Sequence, residues 1–510
     1  MALAAQSSIP EPLTVDGPAA TGSADRLIRN IGLLSVSQVI TWSLTLAWTV
    51  FVPRQLGPAG MSLLVMAWST SGILVGVAGL GSRLWLVREI AADPSRAAGL
   101  LGTALVLRTI FILPCVVATA LYVHLGDFQG AQVVVLYLSI GITGFTLVTE
   151  VFQAALQGVE RMGYLAASDV VNKGLLTVVG IPLALLGVTA TWLVGLQVAV
   201  AGVVASLNLL WTRMFRVDWR LTRQRARSFL ASSLAFWAFM GFGTFYLWVD
   251  AAMLAVMAPP EVVGWYGVPT RIFQTMIFLP AILSTAWLPG LTAAYRRGPD
   301  YLHAAARRPL QVVTALSLPL AVGMALVAGP FIELLYGPSF EPSVPVLRVL
   351  AITIVPIYVN IMVNQVLIAS NRQAIWTWVM AGAAVFNPAM NLVLIRYFQA
   401  HNGNGAVGAA ISLLATESLM LGFGVWLIRR CLNLSDLARI GRALLATGGM
   451  AVAVEVVARR GLAAEVAVGA AAFCILAVLL RVVSTEGLHE LGRMAERLPI
   501  ASRVRAGRAR

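Results

Sequence analysis

Residues 190–212 read ATWLVGLQVAVAGVVASLNLLWT, an apolar run without a single charged side chain. An α-helix rises about 1.5 Å per residue, so about 20 such residues cross the roughly 30 Å hydrocarbon core of a bilayer. About fourteen stretches of this kind follow one another along the chain, separated mostly by short loops. The pattern predicts an all-α polytopic membrane protein with about 14 transmembrane helices.

The predicted spans divide into two lobes of six helices and a C-terminal pair. They lie at 30–52, 61–81, 98–123, 131–153, 166–187, 190–212, 229–256, 262–289, 310–335, 344–369, 374–397, 405–428, 441–458 and 462–482. We therefore expect an N-lobe at 30–212, a C-lobe at 229–428 and two further helices at 441–482.

The segments outside the lobes are polar or basic. We expect 1–29 to be a disordered tail, because it contains three prolines and lacks the basic start and apolar run of a signal peptide. The arginine-rich stretch 213–228 is the expected linker between the lobes. Residues 483–510 combine leucines at helical spacing with arginines, which predicts a basic amphipathic tail. A solvated basic tail is the alternative.

Weak internal similarity supports two pseudo-symmetric lobes. Residues 57–61 (GPAGM) follow the first span and 260–266 (PEVVGWY) follow the seventh; 158–161 (GVER) follow the fourth span and 370–372 (SNR) the tenth. The offset is about 200–210 residues in both cases. Repeats with equal helix numbers suit a transporter whose site lies between two halves. A chance match between glycine-containing loops is the alternative.

Composition and charge exclude several classes of protein. Charged residues make up 11% of the chain and the mean hydropathy is +0.84, which excludes a soluble fold of this length. The net charge of +14 comes mainly from arginines in the loops between the predicted spans and in the C-terminal tail, so it does not indicate nucleic-acid binding. The positive-inside rule places both termini in the cytoplasm.

Known enzymatic and metal-site signatures are missing from the sequence. Lys173 is the one lysine and stands in VNKG, without the glycine spacing of a phosphate-binding P-loop. Four scattered histidines and three scattered cysteines give no metal or disulfide pattern. No large outer loop is present to carry the acidic residues of a membrane glycosyltransferase or glycan polymerase. We therefore expect no cofactor, no metal and no enzymatic activity.

Four segments resemble one family of transporters. They are RQLGPAG at 54–60 with GLG at 79–81 and LVREIA at 86–91; FQAALQGVER at 152–161; GWY at 264–266 with LP at 288–289; and LYG at 335–337 with LRVL at 347–350 and GAVGAA at 405–410. Together they resemble the polysaccharide-biosynthesis (oligosaccharide flippase) branch of the multidrug/oligosaccharidyl-lipid/polysaccharide exporter superfamily. Fourteen spans are typical of its flippases, whereas the drug-antiporter branch usually has twelve.

The resemblance implies a function at a bacterial-type cytoplasmic membrane. It implies translocation of an undecaprenyl-pyrophosphate-linked oligosaccharide to the outer face, by alternating access of two lobes around a central polar cavity. The implied partners are the lipid-linked glycan, membrane lipids and proteins of polysaccharide polymerisation and assembly. A small-molecule antiporter coupled to H⁺ or Na⁺, and a lipid II flippase, are the alternatives; a glycan polymerase is a remote one.

Ionisable residues inside spans are costly and therefore mark candidate sites. Cations that could bind a pyrophosphate in the cavity are Arg108, Lys173 and Arg271, followed by Arg54, Arg83 and Arg88. Structural pairing is the alternative, with Asp169 for Lys173 and with Asp250 for Arg271. Arg88 could equally be a positive-inside anchor.

Carboxylates and amides complete the candidate site. Asp250, Glu150 and Asp169 are candidates for coupling to a proton or Na⁺. Side chains that could contact sugars include Gln38, Gln153, Asn360, Asn364 and Asn387. Hydrogen bonding between helices is the alternative for each single amide.

Overall fold

The computed structural model describes residues 19–482, apart from 214, 216, 432, 433 and 459. No strand occurs in these ranges. The α-helices are α1 (Ala19–Ala78), α2 (Ser82–Ala92), α3 (Ala97–Leu125), α4 (Ala131–Gly158), α5 (Met162–Leu185), α6 (Ala190–Trp211), α7 (Arg223–Met257), α8 (Pro260–Arg297), α9 (Pro299–Tyr336), α10 (Ser343–Ala369), α11 (Gln373–Asn402), α12 (Gly405–Leu427), α13 (Leu434–Val456) and α14 (Leu462–Leu479).

Helix α1 contains two spans. Its apolar part, Val36–Ala78, has 43 residues and would be about 65 Å long if straight, twice the thickness of the hydrocarbon core. The backbone breaks at Gly57, where φ is +66°, a value that glycine adopts without strain. We call residues 19–56 helix α1a and residues 58–78 helix α1b.

The count of about fourteen spans is confirmed. Twelve described helices are long and apolar enough to cross a bilayer, and the first of them is the double span α1a–α1b. Helix α13 is more polar but has 23 residues and packs against α9 and α14. Helix α2 has 11 residues, about 16 Å, which is too short to cross.

One boundary differs clearly from the prediction. Helix α1 begins at Ala19, so residues 19–29, which we expected within a disordered tail, are helical. The sequence has no proline after Pro18 until Pro53, and its alanines and leucine favour propagation of the first span backwards. Residues 1–18 and the predicted amphipathic tail at 483–510 lie outside the described residues.

The two lobes are pseudo-symmetric, as predicted. The turns after α4 and α10 both place a non-glycine residue at positive φ, Glu160 at 59° and Asn371 at 56°. In each turn the next residue, Arg161 or Arg372, donates its backbone N–H to the carbonyl five positions back, at 2.8 and 2.7 Å. Two turns with the same hydrogen bonds therefore close the fourth helix of each lobe.

The lobes meet along α1b. Helices α1a, α1b and α3–α6 pack on one another, as do α7–α12, while α13 and α14 lie against α9. Helix α1b contacts α7 and α8 of the other lobe. We call the end of the bundle that carries α2 and the 213–222 connection the arginine-rich end, and the end that carries Gly57 the arginine-poor end.

Candidate functional site

A cavity of about 100 Å³ lies between the two lobes. It is bounded by α1a, α1b, α5 and α6 from the first lobe and by α8 from the second. Its lining residues are Thr45, Trp48, Thr49, Pro53, Met61, Trp68, Lys173, Leu176, Thr177, Gln197, Val268 and Arg271. Lys173 lies near the middle of α5, and Arg271 lies about 17 Å from the arginine-poor end of α8. The cavity is therefore near the middle of the membrane.

Two of the six predicted cations, Lys173 and Arg271, line this cavity. The guanidinium of Arg271 stacks on Trp68, with Cζ 3.8 Å from the ring centroid, and lies 5.9 Å from the Trp248 ring. The indole N–H of Trp68 donates to the Gln197 side chain at 2.8 Å, which fixes the ring. A cation–π contact of this kind holds the charge in place without neutralising it.

Within the described residues, no carboxylate lies within 4 Å of the Lys173 ammonium or the Arg271 guanidinium. Asp169, one turn before Lys173 on α5, interacts with it electrostatically but forms no ion pair at that distance. Asp250, the alternative partner of Arg271, is hydrogen-bonded elsewhere. The cavity therefore carries two positive charges, which suits an anionic ligand.

Gln197 and the three threonines of the cavity wall were not among the predicted site residues. The side-chain amide nitrogen of Gln197 is buried and has no hydrogen-bond partner, so it is available to a ligand. The sequence does mark Gln197, because it is an amide side chain within the apolar run of α6. Thr45, Thr49 and Thr177 carry no such signal, because threonine is ordinary in membrane helices.

Arg108 belongs to a separate polar junction inside the first lobe. Its side chain is 2% exposed. It donates to Glu150 at 3.1 Å, to the Leu147 and Gly79 carbonyls at 2.7 and 3.0 Å, and to the Ser82 hydroxyl at 3.0 Å. Glu150 is thereby paired as well. The junction ties α1b, α2, α3 and α4 together at the point where α1b ends.

We expect Arg108→Met to destabilise the protein by about 3 kcal/mol, because a partly buried carboxylate and two carbonyls lose their partner. Thermal unfolding of the purified protein in detergent measures this. The double variant Arg108→Met/Glu150→Gln should recover part of the loss, since Gln is neutral. A single variant as stable as wild type would show that the junction is dispensable.

The remaining predicted cations lie away from the cavity. Arg54 is exposed at the arginine-poor end, where a 3.5 Å hydrogen bond reaches the Leu334 carbonyl of α9. Arg83 is half-buried on α2 and interacts electrostatically with Asp169. Arg88 is exposed on α2. Arg83 and Asp169 thus extend the charged surface from Lys173 towards the arginine-rich end.

Asp250 is the centre of a buried polar cluster in the second lobe. It is 2% exposed and accepts hydrogen bonds from the Tyr266 hydroxyl at 3.0 Å and from the Asn391 amide at 2.6 Å. Asn391 also donates to the Asn387 side chain at 3.1 Å. No cation lies within 4 Å of this carboxylate in the described chain. The cluster joins α7, α8 and α11.

A second buried carboxylate, Glu417 on α12, lies in the same lobe. It is 3% exposed and accepts from the Tyr246 hydroxyl at 3.0 Å and the Asn360 amide at 2.7 Å. Tyr246 lies one helical turn from Asp250 on α7. The side-chain oxygens of Asn360 and Asn391 are buried without a donor. The second lobe therefore holds two buried carboxylates and unpaired amide oxygens. This arrangement favours binding of a proton or a small cation.

None of the five predicted sugar-contact amides lines the cavity. Asn360 and Asn387 belong to the clusters just described, and Gln153 donates to Ser168 at 3.0 Å within the first lobe. Asn364 has a buried, unpaired side-chain oxygen, and Gln38 is exposed on α1a. Buried amides must pair, and in three of the five cases the nearest partner lies inside a lobe.

Glycine contacts join the lobes at both ends of the bundle. At the arginine-rich end, a Cβ on Gly81 would lie 2.3 Å from the backbone nitrogen of Trp237, whose indole donates to the Val77 carbonyl at 3.0 Å. At the arginine-poor end, a Cβ on Gly264 would lie 2.0 Å from the Pro58 carbonyl oxygen. The backbones of the two lobes therefore touch on both sides of the cavity.

Solved structures with the same fold are transporters. The lipid II flippase MurJ in an inward closed conformation superposes with a TM-score of 0.73 at 11% identity, over 89% of this chain and 99% of that one. An inward-facing multidrug resistance transporter of the MATE family, in the MOP superfamily, gives a TM-score of 0.64 at 16% identity, over 81% and 98%. At these identities the likeness concerns the fold.

Sequence comparison gives the family. The probable low-salt glycan biosynthesis flippase Agl15 of Haloferax volcanii is 22% identical over 392 residues, covering 76% of this chain and 80% of the relative. The family model for polysaccharide biosynthesis proteins matches residues 27–294, more than half of the chain, and the chain therefore belongs to that family of membrane proteins.

Proposed function

We propose that the protein is a flippase that moves a lipid-linked oligosaccharide, carried on a polyprenyl pyrophosphate, between the leaflets of a membrane. The observation that carries the proposal is the central cavity with two cations, Lys173 and Arg271, neither of which has a carboxylate within 4 Å among the described residues. A charge in the middle of a membrane protein costs free energy, so an unpaired pair of cations requires a function. A pyrophosphate supplies the opposite charge.

The side chains around the cations suit the headgroup. The planar guanidinium of Arg271 offers two parallel N–H donors to phosphate oxygens, and the ammonium of Lys173 acts as a point charge. The free amide of Gln197 and the threonine hydroxyls can bond to sugar hydroxyls, while Trp48 offers an apolar face. All of these interactions are reversible and leave the substrate's covalent bonds intact.

The mechanism is alternating access. A cavity of about 100 Å³ holds no glycan, so the headgroup enters only when one set of interlobe contacts opens. Separation of the lobes at Gly81 would open the cavity towards the arginine-rich end. Separation at Gly264 would open it towards the arginine-poor end. From the positive-inside rule we infer that the arginine-rich end and both termini face the cytoplasm. The family resemblance supports a bacterial-type cytoplasmic membrane as the location.

Energy comes from the membrane potential or from an ion gradient. In an inside-negative membrane, outward movement of a negative headgroup gains about 2.3 kcal/mol per charge per 100 mV. Asp250 is the best-placed coupling carboxylate, because it is buried, lacks a cation and lies beside the unpaired oxygen of Asn391. It would bind H⁺ or Na⁺ and release it as the second lobe moves.

We expect Asp250→Asn to fold normally and to uncouple transport from the ion gradient, since Asn preserves the shape and removes the titratable charge. Flipping in proteoliposomes is measured with a proton gradient, a Na⁺ gradient or a potential alone. The variant should lose the stimulation by one ion gradient and keep the response to the potential. Gradient stimulation equal to wild type would remove Asp250 from the coupling.

The same cluster supports a second function, an antiporter of small molecules coupled to H⁺ or Na⁺, and the MATE-like fold is compatible with it. A reconstituted assay separates the two. Wild-type protein should flip a fluorescent polyprenyl-pyrophosphate-linked oligosaccharide and should not exchange organic cations for protons. The opposite pattern would replace the flippase by the antiporter, and transport of lipid II alone would narrow the substrate to the peptidoglycan precursor.

A further inference from the structure

A second pocket lies at the arginine-rich end, away from the central cavity. Its volume is about 490 Å³, within the range of small-molecule sites. It is formed by α2, the start of α3 and the start of α7, the first helix of the second lobe. Arg96, Thr103 and Arg225 are its main polar residues, and Trp85 and Phe229, 4.9 Å apart in an edge-to-face contact, form its apolar wall. The pocket therefore lies where the two lobes are joined.

The connection between the lobes forms one fixed wall. The backbone N–H of Asp218 donates to the Ala98 carbonyl at 3.0 Å, and a Cβ on Gly102 would lie 1.8 Å from the Asp218 carbonyl oxygen. The guanidinium of Arg225 donates to the Asp218 carboxylate at 2.6 Å, which holds the pKa of that carboxyl below its usual value. The wall is thus held by backbone contact as well as by charge.

Positive potential converges on the pocket from two helix ends. Helix α3 begins at Ala97 and α7 at Arg223, the first turns of both line the pocket, and neither first turn contains an acidic residue. Helix N-termini attract anions. The guanidinium of Arg225 lies 3.7 Å from the position of a Cβ on Gly99, directly over the first turn of α3. Arg96 adds a second guanidinium, one nitrogen of which donates to the Glu89 carboxylate at 3.0 Å while its other N–H groups have no carboxylate partner among the described residues.

The hydroxyl of a largely buried threonine faces the same space. Thr103 is 3% exposed and lines the pocket, yet its side chain forms no hydrogen bond with any described residue. Its hydroxyl oxygen is therefore open to an occupant of the pocket, whereas a threonine hydroxyl in a helix commonly bonds to the preceding turn. Gln224 and Ser228 also line the pocket without side-chain partners among the described residues. Asp218 is the one carboxylate among the lining residues, and Arg225 neutralises it.

We propose that this pocket binds the phosphate group of a ligand and so controls the joint between the lobes. The donors of Arg96 and Arg225 that Glu89 and Asp218 leave free, together with the Thr103 hydroxyl and the two helix ends, would hold the phosphate. The ligand is a soluble phosphate ester or an acidic phospholipid headgroup, which share this chemistry. Because the walls come from α3 and α7, an occupant connects the two lobes. The proposal is independent of the substrate of the central cavity.

Binding to the full-length protein in neutral detergent tests the proposal. One arm titrates inorganic phosphate against chloride at constant ionic strength, and the other adds short-chain phosphatidylglycerol against phosphatidylcholine. Phosphorus NMR line width and the midpoint of thermal unfolding report saturable binding. We expect Arg96→Gln to weaken binding about tenfold and Thr103→Val about threefold.

A matched variant excludes binding elsewhere. Arg227→Gln removes the same charge from an exposed position of α7 outside the pocket and should bind as wild type. Saturable binding of inorganic phosphate indicates a soluble ligand, and binding of phosphatidylglycerol alone indicates a lipid. Absence of saturable binding in both arms, or equal weakening by Arg227→Gln, would overturn the proposal.

Discussion

Arg271→Gln and Lys173→Gln should each reduce flipping of a lipid-pyrophosphate-linked oligosaccharide by about 10–100-fold, and the double variant should fall to background. Each change removes charge-assisted hydrogen bonds of about 1.5–3 kcal/mol to the pyrophosphate, and 1.4 kcal/mol is a factor of ten. The measurement is the initial rate of flipping in proteoliposomes of defined lipid composition.

The same variants should remain folded. Neither cation has a carboxylate within 4 Å among the described residues, so its removal leaves no charge unpaired and removes a charge from the membrane-spanning part of the protein. We expect the midpoint of thermal unfolding to be equal to or above that of wild type. Arg372→Gln, an exposed arginine in a turn at the arginine-rich end, is the control and should flip normally. A variant that is stable and fully active would exclude its cation from substrate binding.

Glycine substitutions at the two ends should trap the transporter in opposite states. Gly81→Asn introduces a Cβ against the Trp237 backbone, and Gly264→Ala introduces one against the Pro58 carbonyl. Overpacking of this kind costs about 1–3 kcal/mol, enough to shift a two-state equilibrium about 10–100-fold. Gly81→Asn should open the arginine-rich end of the cavity, and Gly264→Ala should open the arginine-poor end. Both variants should flip the substrate more slowly than wild type.

Cysteine accessibility measures the trapped states. Thr45→Cys, in a background without the native cysteines, places a thiol in the cavity for a maleimide that does not cross membranes. Labelling should be faster from the arginine-rich side with Gly81→Asn and from the other side with Gly264→Ala. Gly403→Asn, also at positive φ, and Gly174→Ala are the controls, since nothing lies within 4 Å of either Cβ. If all four variants were labelled faster from the same side, the two glycine contacts would not control access from opposite ends, and the proposed mechanism would be refuted.

The sequence predicted most of the fold because bilayer thickness and backbone hydrogen bonding leave few solutions. The similar segments GVER and SNR, noted as a possible repeat, correspond to two turns with positive φ at Glu160 and Asn371. The ends of the helices were predicted less accurately, as the start of α1 at Ala19 shows. A helix continues into polar residues when no proline stops it, and hydropathy does not detect this.

The site was less predictable, because a residue's depth in a span does not tell which face it lies on. Lys173 and Arg271 line the cavity, whereas Arg108, at similar depth, is enclosed by Glu150 and backbone carbonyls. The Trp68–Gln197 hydrogen bond, which positions Arg271, joins residues far apart in sequence. Such pairs are determined by how helices pack.

The central claim is that the cavity recognises a pyrophosphate. Its most direct test compares the affinities of the purified protein for a short-chain prenyl-pyrophosphate oligosaccharide and for the same oligosaccharide on a neutral prenol. Wild type should prefer the pyrophosphate by about 100-fold, and Lys173→Gln/Arg271→Gln should bind both ligands with the same low affinity. Equal affinity of wild type for the two ligands, or an unchanged preference in the double variant, would contradict the account.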